Sequence, residues 1–333
     1  MLELLRELCA LRGVSGGEEP VSEYLRTRAE PFADDLRTDA LGNLLVYKKG
    51  ASAGKGTLML AAHMDEVGLI VTDITQAGLL RFACVGGIDR RVLPGKRVEV
   101  GQGALPGVIG LPPAAPGERR APEVEQLCID IGAGGRNEAE ALVQPGDLVS
   151  FAGPLEQMPG GLIRAKALDD RLGCAVLLAL LRRELPRDVW FAFTVQEELG
   201  TRGAGPAVAR IQPDAAIVVE GTTAADLPDV PPGQEICTVG GGVVIPFQDG
   251  GTLYDPALTA LARRTAEEAG IPWQTKRRIA GGTDAGRIHI SGTGVPCLGL
   301  ACALRNIHSP ASVGSLRDVE QLLELTERIL HHV

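Results

Sequence analysis

The sequence is poor in aromatic residues and contains no long apolar run. Phe, Trp and Tyr make up 3% of the 333 residues, so the core must be built from aliphatic side chains. No apolar stretch approaches the ~18 residues that a membrane-spanning helix needs. The first residues, MLELLRELCALRG, predict an amphipathic helix rather than a signal peptide. We therefore expect a soluble, cytoplasmic protein without a membrane partner.

Charge and cysteine usage exclude two further classes. The net charge of −9 argues against a surface that binds nucleic acid. The seven cysteines are scattered and contain no C-x-x-C pair, which indicates reduced thiols rather than a disulfide framework or a cysteine zinc site.

Short aliphatic strands alternate with helices through most of the chain. Asp255 and Ser315 stand where they could cap two of the helices. This alternation predicts an α/β fold with a mostly parallel central sheet and helices on both faces. The strands are predicted at 57–63, 188–195, 214–220 and 295–302, and the main helices at 170–184, 255–269 and 315–330.

Residues 67–161 have a different pattern. Apolar strands separated by turns follow one another without a convincing helix, and GLPPAAPGERRAP (110–122) is a Pro/Gly-rich loop. We predict a small all-β domain at 67–161, inserted into an α/β domain formed by 1–66 and 162–333. Its aliphatic strands carry few charges, so the insert is a candidate interface for dimerisation and oligomerisation.

Histidines and acids follow the predicted strands of the α/β domain. Ligand sites of open α/β sheets lie at these carboxyl ends. One histidine alone would more simply be an ordinary hydrogen-bonded residue. Several buried carboxylates together are unfavourable without cations, so the full set predicts two divalent metal ions. The set consists of His63, Asp65, Asp169, Glu197, Glu198, Glu220 and His308.

The residue types suggest the chemistry of such a site. Imidazole and carboxylate ligands without thiolate suit Zn, Co or Mn and favour zinc or cobalt. Asp65 shares a strand face with His63 and can orient its ring. Two metals need one bridging carboxylate and leave a water between them. One of the adjacent residues Glu197 and Glu198 can bind a metal while the other acts as a general base.

Four motifs, AAHMDEVG, KALDDRLG, VQEELGTRGA and IHSP, occur in this order along the chain. In order and spacing they resemble the cocatalytic metallo-aminopeptidases. That group contains glutamyl and deblocking aminopeptidases, tetrahedral aminopeptidases and proteins labelled endoglucanase M. The resemblance covers essentially the whole chain and implies a two-metal aminopeptidase acting on short peptides.

The resemblance also implies a role for each residue. It assigns His63, Asp169 and Glu220 to the first metal, and Asp169, Glu198 and His308 to the second. Asp169 bridges the two ions, Glu197 is the base that activates the bridging water, and Asp65 orients His63. Glu220 departs from the family pattern, since many members have Asp at this position.

Two further features follow from the resemblance. Asp284, in GGTDAG, matches a segment near the active site and is a predicted substrate contact; a helix-capping Asp in a glycine-rich turn is the alternative. The family also implies dimers, built by the inserted domain, that join into a hollow dodecamer.

Three other functions compete with this reading. A carboxypeptidase or another metal-dependent amide hydrolase would use the same kind of site. An endoglucanase-like glycoside hydrolase needs two carboxyls flanking a sugar bond. Here the acids are better used as metal ligands, and only two Trp and three Tyr are available as sugar platforms. A non-catalytic peptide-binding protein would not need the intact base and ligand set.

Overall fold

The computed structural model describes residues 1–52, 54, 56–110, 121–231 and 233–333. The helices are α1 (Leu2–Ala10), α2 (Glu19–Ala29), α3 (Arg136–Glu140), α4 (Leu168–Leu181), α5 (Ala204–Ile211), α6 (Pro256–Ala269), α7 (Ala285–Ile288) and α8 (Leu316–Ile329). The strands are β1 (Asp35–Thr38), β2 (Leu44–Lys48), β3 (Leu58–His63), β4 (Gly68–Ile74), β5 (Leu80–Val85), β6 (Arg97–Val100), β7 (Leu105–Gly110), β8 (Cys128–Asp130), β9 (Leu148–Phe151), β10 (Glu156–Met158), β11 (Leu162–Ala165), β12 (Val189–Thr194), β13 (Ala215–Thr223), β14 (Val243–Val244), β15 (Trp273–Gln274), β16 (Cys297–Leu304) and β17 (Ser312–Ser315).

The central sheet is mixed. Its spatial order is β1-β2-β12-β3-β13-β16-β14-β15. The four inner strands β12, β3, β13 and β16 run parallel to one another. Strands β2 and β14 run antiparallel to their inner neighbours. The predicted parallel arrangement therefore describes the inner strands, while the sheet as a whole is a mixture of both directions.

Helices cover both faces of this sheet. Along β3, Leu58, Leu60 and Ala62 join the core that also contains residues of α1, α4 and α8. Met59 and Ala61 alternate with them and pack with residues of α5 and α7 on the opposite face. This double burial explains why the inner strands are continuously apolar rather than alternating.

The predicted helix caps are confirmed. The Asp255 side chain accepts hydrogen bonds from the amides of Ala257 and Leu258 at the start of α6. Gly270 ends that helix with φ +66°, a left-handed conformation that glycine adopts without strain. Ser315 Oγ accepts from the Asp318 amide at 3.2 Å at the start of α8.

A closed β-barrel follows β3 directly. It has the order β4-β5-β8-β7-β6-β9, with its own apolar core around Leu69, Ile109 and Val149. The barrel strands and the short helix α3 occupy 68–151, inside the predicted insert. Strand β11 lies between β10 and β17 in a separate three-stranded antiparallel sheet. Residues 111–120 of the predicted Pro/Gly-rich loop lie outside the described residues. In the described part of the chain, no helix has the length and apolarity needed to cross a membrane.

A buried ion network joins α1 to the end of β3. Lys166 Nζ contacts both carboxylate oxygens of Glu66, at 2.7 and 2.9 Å, and donates to the Leu11 carbonyl at 2.6 Å. Arg171 donates to the carbonyls of Leu8 and Met64 at 2.6 and 2.9 Å. The three charged side chains are almost fully buried, so their contacts with one another and with backbone carbonyls offset the cost of removing them from water.

Replacing Lys166 should reveal the cost of leaving Glu66 without its main partner. We expect Lys166→Met to destabilise the protein by about 3–5 kcal/mol, because it leaves a buried carboxylate poorly compensated. Urea unfolding measures the change, and Lys49→Met at an exposed lysine is the matched control. The double variant Glu66→Gln/Lys166→Met should recover part of the loss. Equal unfolding midpoints for the two lysine variants would contradict this account.

Candidate metal centre

The inner strands bring the predicted site residues to one edge of the sheet. His63 is the last residue of β3 and pairs in register with Thr194 at the end of β12. Glu220 lies in the last part of β13, and His308 lies in the loop after β16. Asp169 stands at the start of α4, where the Asp169–Asp170 peptide is cis. The parallel direction of four neighbouring strands thus gathers residues that are far apart in sequence.

The carboxylate of Asp169 lies between the two histidines. His63 Nε2 is 3.6 Å from Asp169 Oδ1, and His308 Nε2 is 3.4 Å from Asp169 Oδ2. Glu220 Oε2 lies 3.7 Å from His63 Nε2, and Glu198 Oε2 lies 3.3 Å from His308 Nε2. The five side chains therefore form two groups of one histidine and one glutamate, with one oxygen of Asp169 facing each group.

The spacing and the unsatisfied oxygens fit two cations. Zinc binds nitrogen and oxygen ligands at about 2.0–2.2 Å, so two ligand atoms on one ion are about 3–4 Å apart. Asp169 Oδ1 and Glu220 Oε1 are buried and accept no hydrogen bond among the described residues. A buried carboxylate oxygen without a donor is unfavourable unless a cation neutralises it.

Each histidine presents the same nitrogen to the acids. Nδ1 of His63 lies 3.1 Å from the Asp65 carbonyl, and Nδ1 of His308 lies 2.9 Å from the carbonyl of Gly87 in the barrel domain. A carbonyl only accepts a hydrogen bond, so each Nδ1 carries a proton and each Nε2 is left free to face the neighbouring carboxylates. The carboxylate Oδ1 of Asp65 is farther from the His63 ring, at 3.4 Å. Asp65 therefore contacts the His63 ring through its carbonyl as well as its carboxylate.

Glu197 and Glu198 lie in a turn rather than on the strand. β12 ends at Thr194, and Gln196 has φ +54°. The amides of Glu197 and Glu198 donate to the two carboxylate oxygens of Asp65 at 3.0 and 3.1 Å. The Glu198 side chain reaches His308, whereas the Glu197 carboxylate faces the charges of His63 and Asp284.

The electrostatics of the site are those of an anion cluster. Burial raises the pKa of Glu198 to about 7, and the neighbouring Asp169 adds to the shift. Burial likewise raises the pKa of Glu197 and of Glu220 well above the usual range, against the charge of His63. Burial alone would lower the pKa of His308, but Asp169 and Glu198 raise it to about 9. Divalent cations would reverse these shifts, since metal ligands bind in their deprotonated form.

Three other residues form hydrogen bonds and are not among the five side chains described above: Asp170, Asp284 and His289. Asp170 accepts hydrogen bonds from the amides of His63 and Gly173, at 3.2 and 2.9 Å. Asp284 is 1% exposed and accepts from the Thr194 hydroxyl. The predicted substrate contact of Asp284 stays a prediction. His289 contacts the Ala285 carbonyl within its own helix.

Several polar residues around the site were not singled out in the sequence. They are Ser15, Glu18, Glu66 and Lys166, together with Arg171, which the sequence marks only as the neighbour of two acids. Charged residues inside otherwise apolar motifs, as in DEVG and KALDDR, are the signal that could have identified three of them. Ser15 and Glu18 give no such signal, because serine and glutamate before a helix are ordinary N-terminal residues.

Comparison with known proteins decides what kind of site this is. Residues 42–325 match the family model of the M42 glutamyl aminopeptidases. The chain belongs to the M42 family.

Solved structures agree with the M42 assignment along the whole chain. An aminopeptidase from the archaeon Desulfurococcus kamchatkensis is 34% identical with a TM-score of 0.95, covering 99% of this chain and 94% of that one. The TET1 peptidase of Pyrococcus horikoshii is 34% identical with a TM-score of 0.88, covering 100% and 99%. A Thermotoga maritima protein titled endoglucanase is 37% identical with a TM-score of 0.81, covering 98% and 96%.

Membership of the M42 family answers the question of activity. This M42 protein is an enzyme, a metal-dependent aminopeptidase that hydrolyses N-terminal residues of peptides. The glycoside hydrolase alternative is not favoured, although one relative has an endoglucanase title.

Divalent cations should stabilise the metal-free M42 protein. We expect Zn²⁺ or Co²⁺ to bind the folded cluster of candidate ligands, so the melting temperature should rise with added metal, by an amount equivalent to about 2.7 kcal/mol at 100 times the dissociation constant. Asp169→Asn should lose most of this rise, because one oxygen faces each histidine. His289→Ala should keep the full rise. A parent-like rise in Asp169→Asn, measured by differential scanning fluorimetry, would show that Asp169 is not a ligand.

Proposed function

We propose that the protein is a two-metal aminopeptidase with the ligand set implied by its motifs. His63, Asp169 and Glu220 hold the first ion, and Asp169, Glu198 and His308 hold the second. One observation carries this proposal: the two oxygens of Asp169 face the Nε2 atoms of different histidines, at 3.6 and 3.4 Å. Imidazole with carboxylate favours zinc or cobalt.

Glu220 is compatible with this arrangement although many relatives have aspartate there. Its Oε2 lies 3.7 Å from His63 Nε2, and its Oε1 is buried without a hydrogen-bond donor among the described residues. The longer side chain on β13 therefore places its carboxylate beside the same imidazole that Asp169 Oδ1 faces. We propose that Glu220 supplies the third ligand of the first ion.

Glu197 is the general base in this proposal. Its backbone is fixed by Asp65, and its side chain lies among the charges of His63, Asp284, Glu198 and Asp169 without an ion pair of its own in the described chain. Bound metal ions supply polarisation of the scissile carbonyl and a lower pKa for the attacking water. Glu197 takes the proton of that water and transfers it to the leaving amine. Water oxygen bonds to the carbonyl carbon as the C–N bond breaks, which yields a free amino acid and a shortened peptide.

The barrel domain is the proposed subunit interface. Val108 and Leu142 of this domain are 40% and 57% exposed, so their apolar surface is available to an interface. The Pyrococcus horikoshii relative is described as a peptidase that can assemble into a tetrahedron or a large octahedral shell. We propose that this protein also forms a large homo-oligomer, a tetrahedral dodecamer in the simplest case, whose enclosed active sites admit only short or unfolded peptides. The cytoplasmic location stays a prediction.

Two neighbouring substitutions should fail in different ways. Glu198→Gln replaces a charged ligand by a neutral one, so the protein should lose metal, and added metal should partly restore activity. Glu197→Gln keeps the metal ligands but removes the proton acceptor, so kcat should fall by roughly 10²–10⁴ with similar metal content and KM. Metal analysis beside kinetics on amino-acid p-nitroanilides measures both. Loss of metal from Glu197→Gln alone would exchange the two roles, and full activity of both variants would place the active site elsewhere.

A charge on the barrel surface should reduce the size of the oligomer. Leu142→Glu places a carboxylate at an exposed apolar position, where burial in an interface would be unfavourable. Leu142→Gln is a control of similar size without the charge. Light scattering should show a large assembly for the parent and smaller species for Leu142→Glu, with an intermediate effect for Leu142→Gln. A parent protein that is monomeric in metal-replete buffer would overturn the proposed assembly.

A further inference from the structure

The segment between α1 and α2 lies against the turn at 195–198, which carries Glu197 and Glu198. The backbone of this segment is held by Glu66, whose amide donates to the Gly13 carbonyl at 2.9 Å and whose carbonyl accepts from the Ser15 amide at 3.3 Å. Ser15 Oγ donates to Asp65 Oδ2 at 2.6 Å. Glu18 Oε1 accepts from the Gln196 amide at 3.1 Å. Residues near the beginning of the chain thus contact two of the four motifs that carry the proposed chemistry.

Two carboxylates hold three consecutive amides of that turn. Gln196 donates to Glu18, and Glu197 and Glu198 donate to Asp65. Gln196 has φ +54°, a left-handed conformation that is unfavourable for a residue with a side chain. Such a conformation persists only where the surroundings hold it. The hydrogen bond that Gln196 donates to Glu18 lies where the backbone departs from the direction of β12.

We propose that Glu18 is a positioning residue for the general base. By accepting the Gln196 amide, its side chain keeps the turn in the conformation that places the Glu197 carboxylate in the site. This inference rests on the proposed role of Glu197. Glu18 is itself buried and also accepts the Gly16 amide, at 2.9 Å, through the same oxygen Oε1.

The predicted consequence is a loss of turnover rather than of binding. Asp65 still holds the amides of Glu197 and Glu198 when Glu18 is removed, so the metal ligand Glu198 keeps its anchor. The Gln196 amide then loses its acceptor, while the Val195 amide still donates to Asn43 at 3.0 Å. We therefore expect a small local shift of the turn that moves the Glu197 carboxylate. A displacement of about 1 Å at a catalytic group can reduce the rate by roughly 10².

The chain offers a closely matched pair of variants. Glu18→Met keeps the length of the side chain but has no oxygen to accept the two amides. Glu18→Gln removes the charge yet retains one carbonyl oxygen, which is all that the two hydrogen bonds require. We expect Glu18→Met to lower kcat by roughly 10- to 100-fold, with parent-like KM and metal content, and Glu18→Gln to stay close to the parent. If Glu18→Met does not fold, Glu18→Ala takes its place.

A double variant separates positioning from a general effect on the fold. In a Glu197→Gln background the base is already absent, so adding Glu18→Met should lower kcat little further. Hydrogen exchange of metal-free Glu18→Met should be faster in the segment around residues 195–200 and parent-like in the inner strands.

The outcomes distinguish this inference from the function on which it rests. Parent-like turnover of Glu197→Gln would remove the base assignment and this inference together. A large effect of Glu197→Gln with parent-like turnover of Glu18→Met would overturn this inference alone. Three other results would also overturn this inference alone. They are loss of metal from Glu18→Met, equal losses of kcat in Glu18→Met and Glu18→Gln, and a double variant whose loss of kcat is the product of the Glu18→Met and Glu197→Gln losses.

Discussion

The candidate site depends on one carboxylate that faces two histidine–glutamate groups at once. Asp169 lies at the start of α4, opposite the carboxyl ends of β3 and β16, so its two oxygens meet imidazoles from different parts of the chain. The next residue, Asp170, accepts the backbone amide of His63 and ties the same helix start to β3. A small displacement of α4 would therefore alter both groups of ligands together. The buried side chain of Arg171, two residues after Asp169, donates hydrogen bonds to the carbonyls of Leu8 and Met64. These bonds restrain the start of the helix against such a displacement.

Much of the fold could be read from the sequence because its signals are local. The apolar strands, the Asp255 and Ser315 caps and the change of pattern at the barrel all depend on residues close together in the chain. The antiparallel outer strands could not be read in this way. β14 and β15 are two residues long, too short for a periodic pattern, and the direction of β2 is set by its pairing with β12.

The sequence singled out groups whose chemistry is unusual in a buried setting, and it gave no sign of groups that act through hydrogen bonds. Histidine and acid at strand ends predicted the cluster around Asp169, which the structure brings together. The contacts of Ser15 and Glu18 could not be predicted, since they join positions 50 and 178 residues apart through ordinary hydrogen bonds.

The barrel domain contacts a residue of the candidate site. It begins at Gly68, five residues after His63, and its Gly87 carbonyl meets the ring of His308. On the other side of the site, the family match begins only at residue 42, yet Ser15 and Glu18 already contact Asp65 and Gln196. Recombinant fragments cut at the boundary of the recognised domain would thus keep every candidate ligand and lose part of the framework that holds them. The family model alone starts later than the part of the chain that holds the candidate site, whereas the relatives that match the whole chain include this first segment.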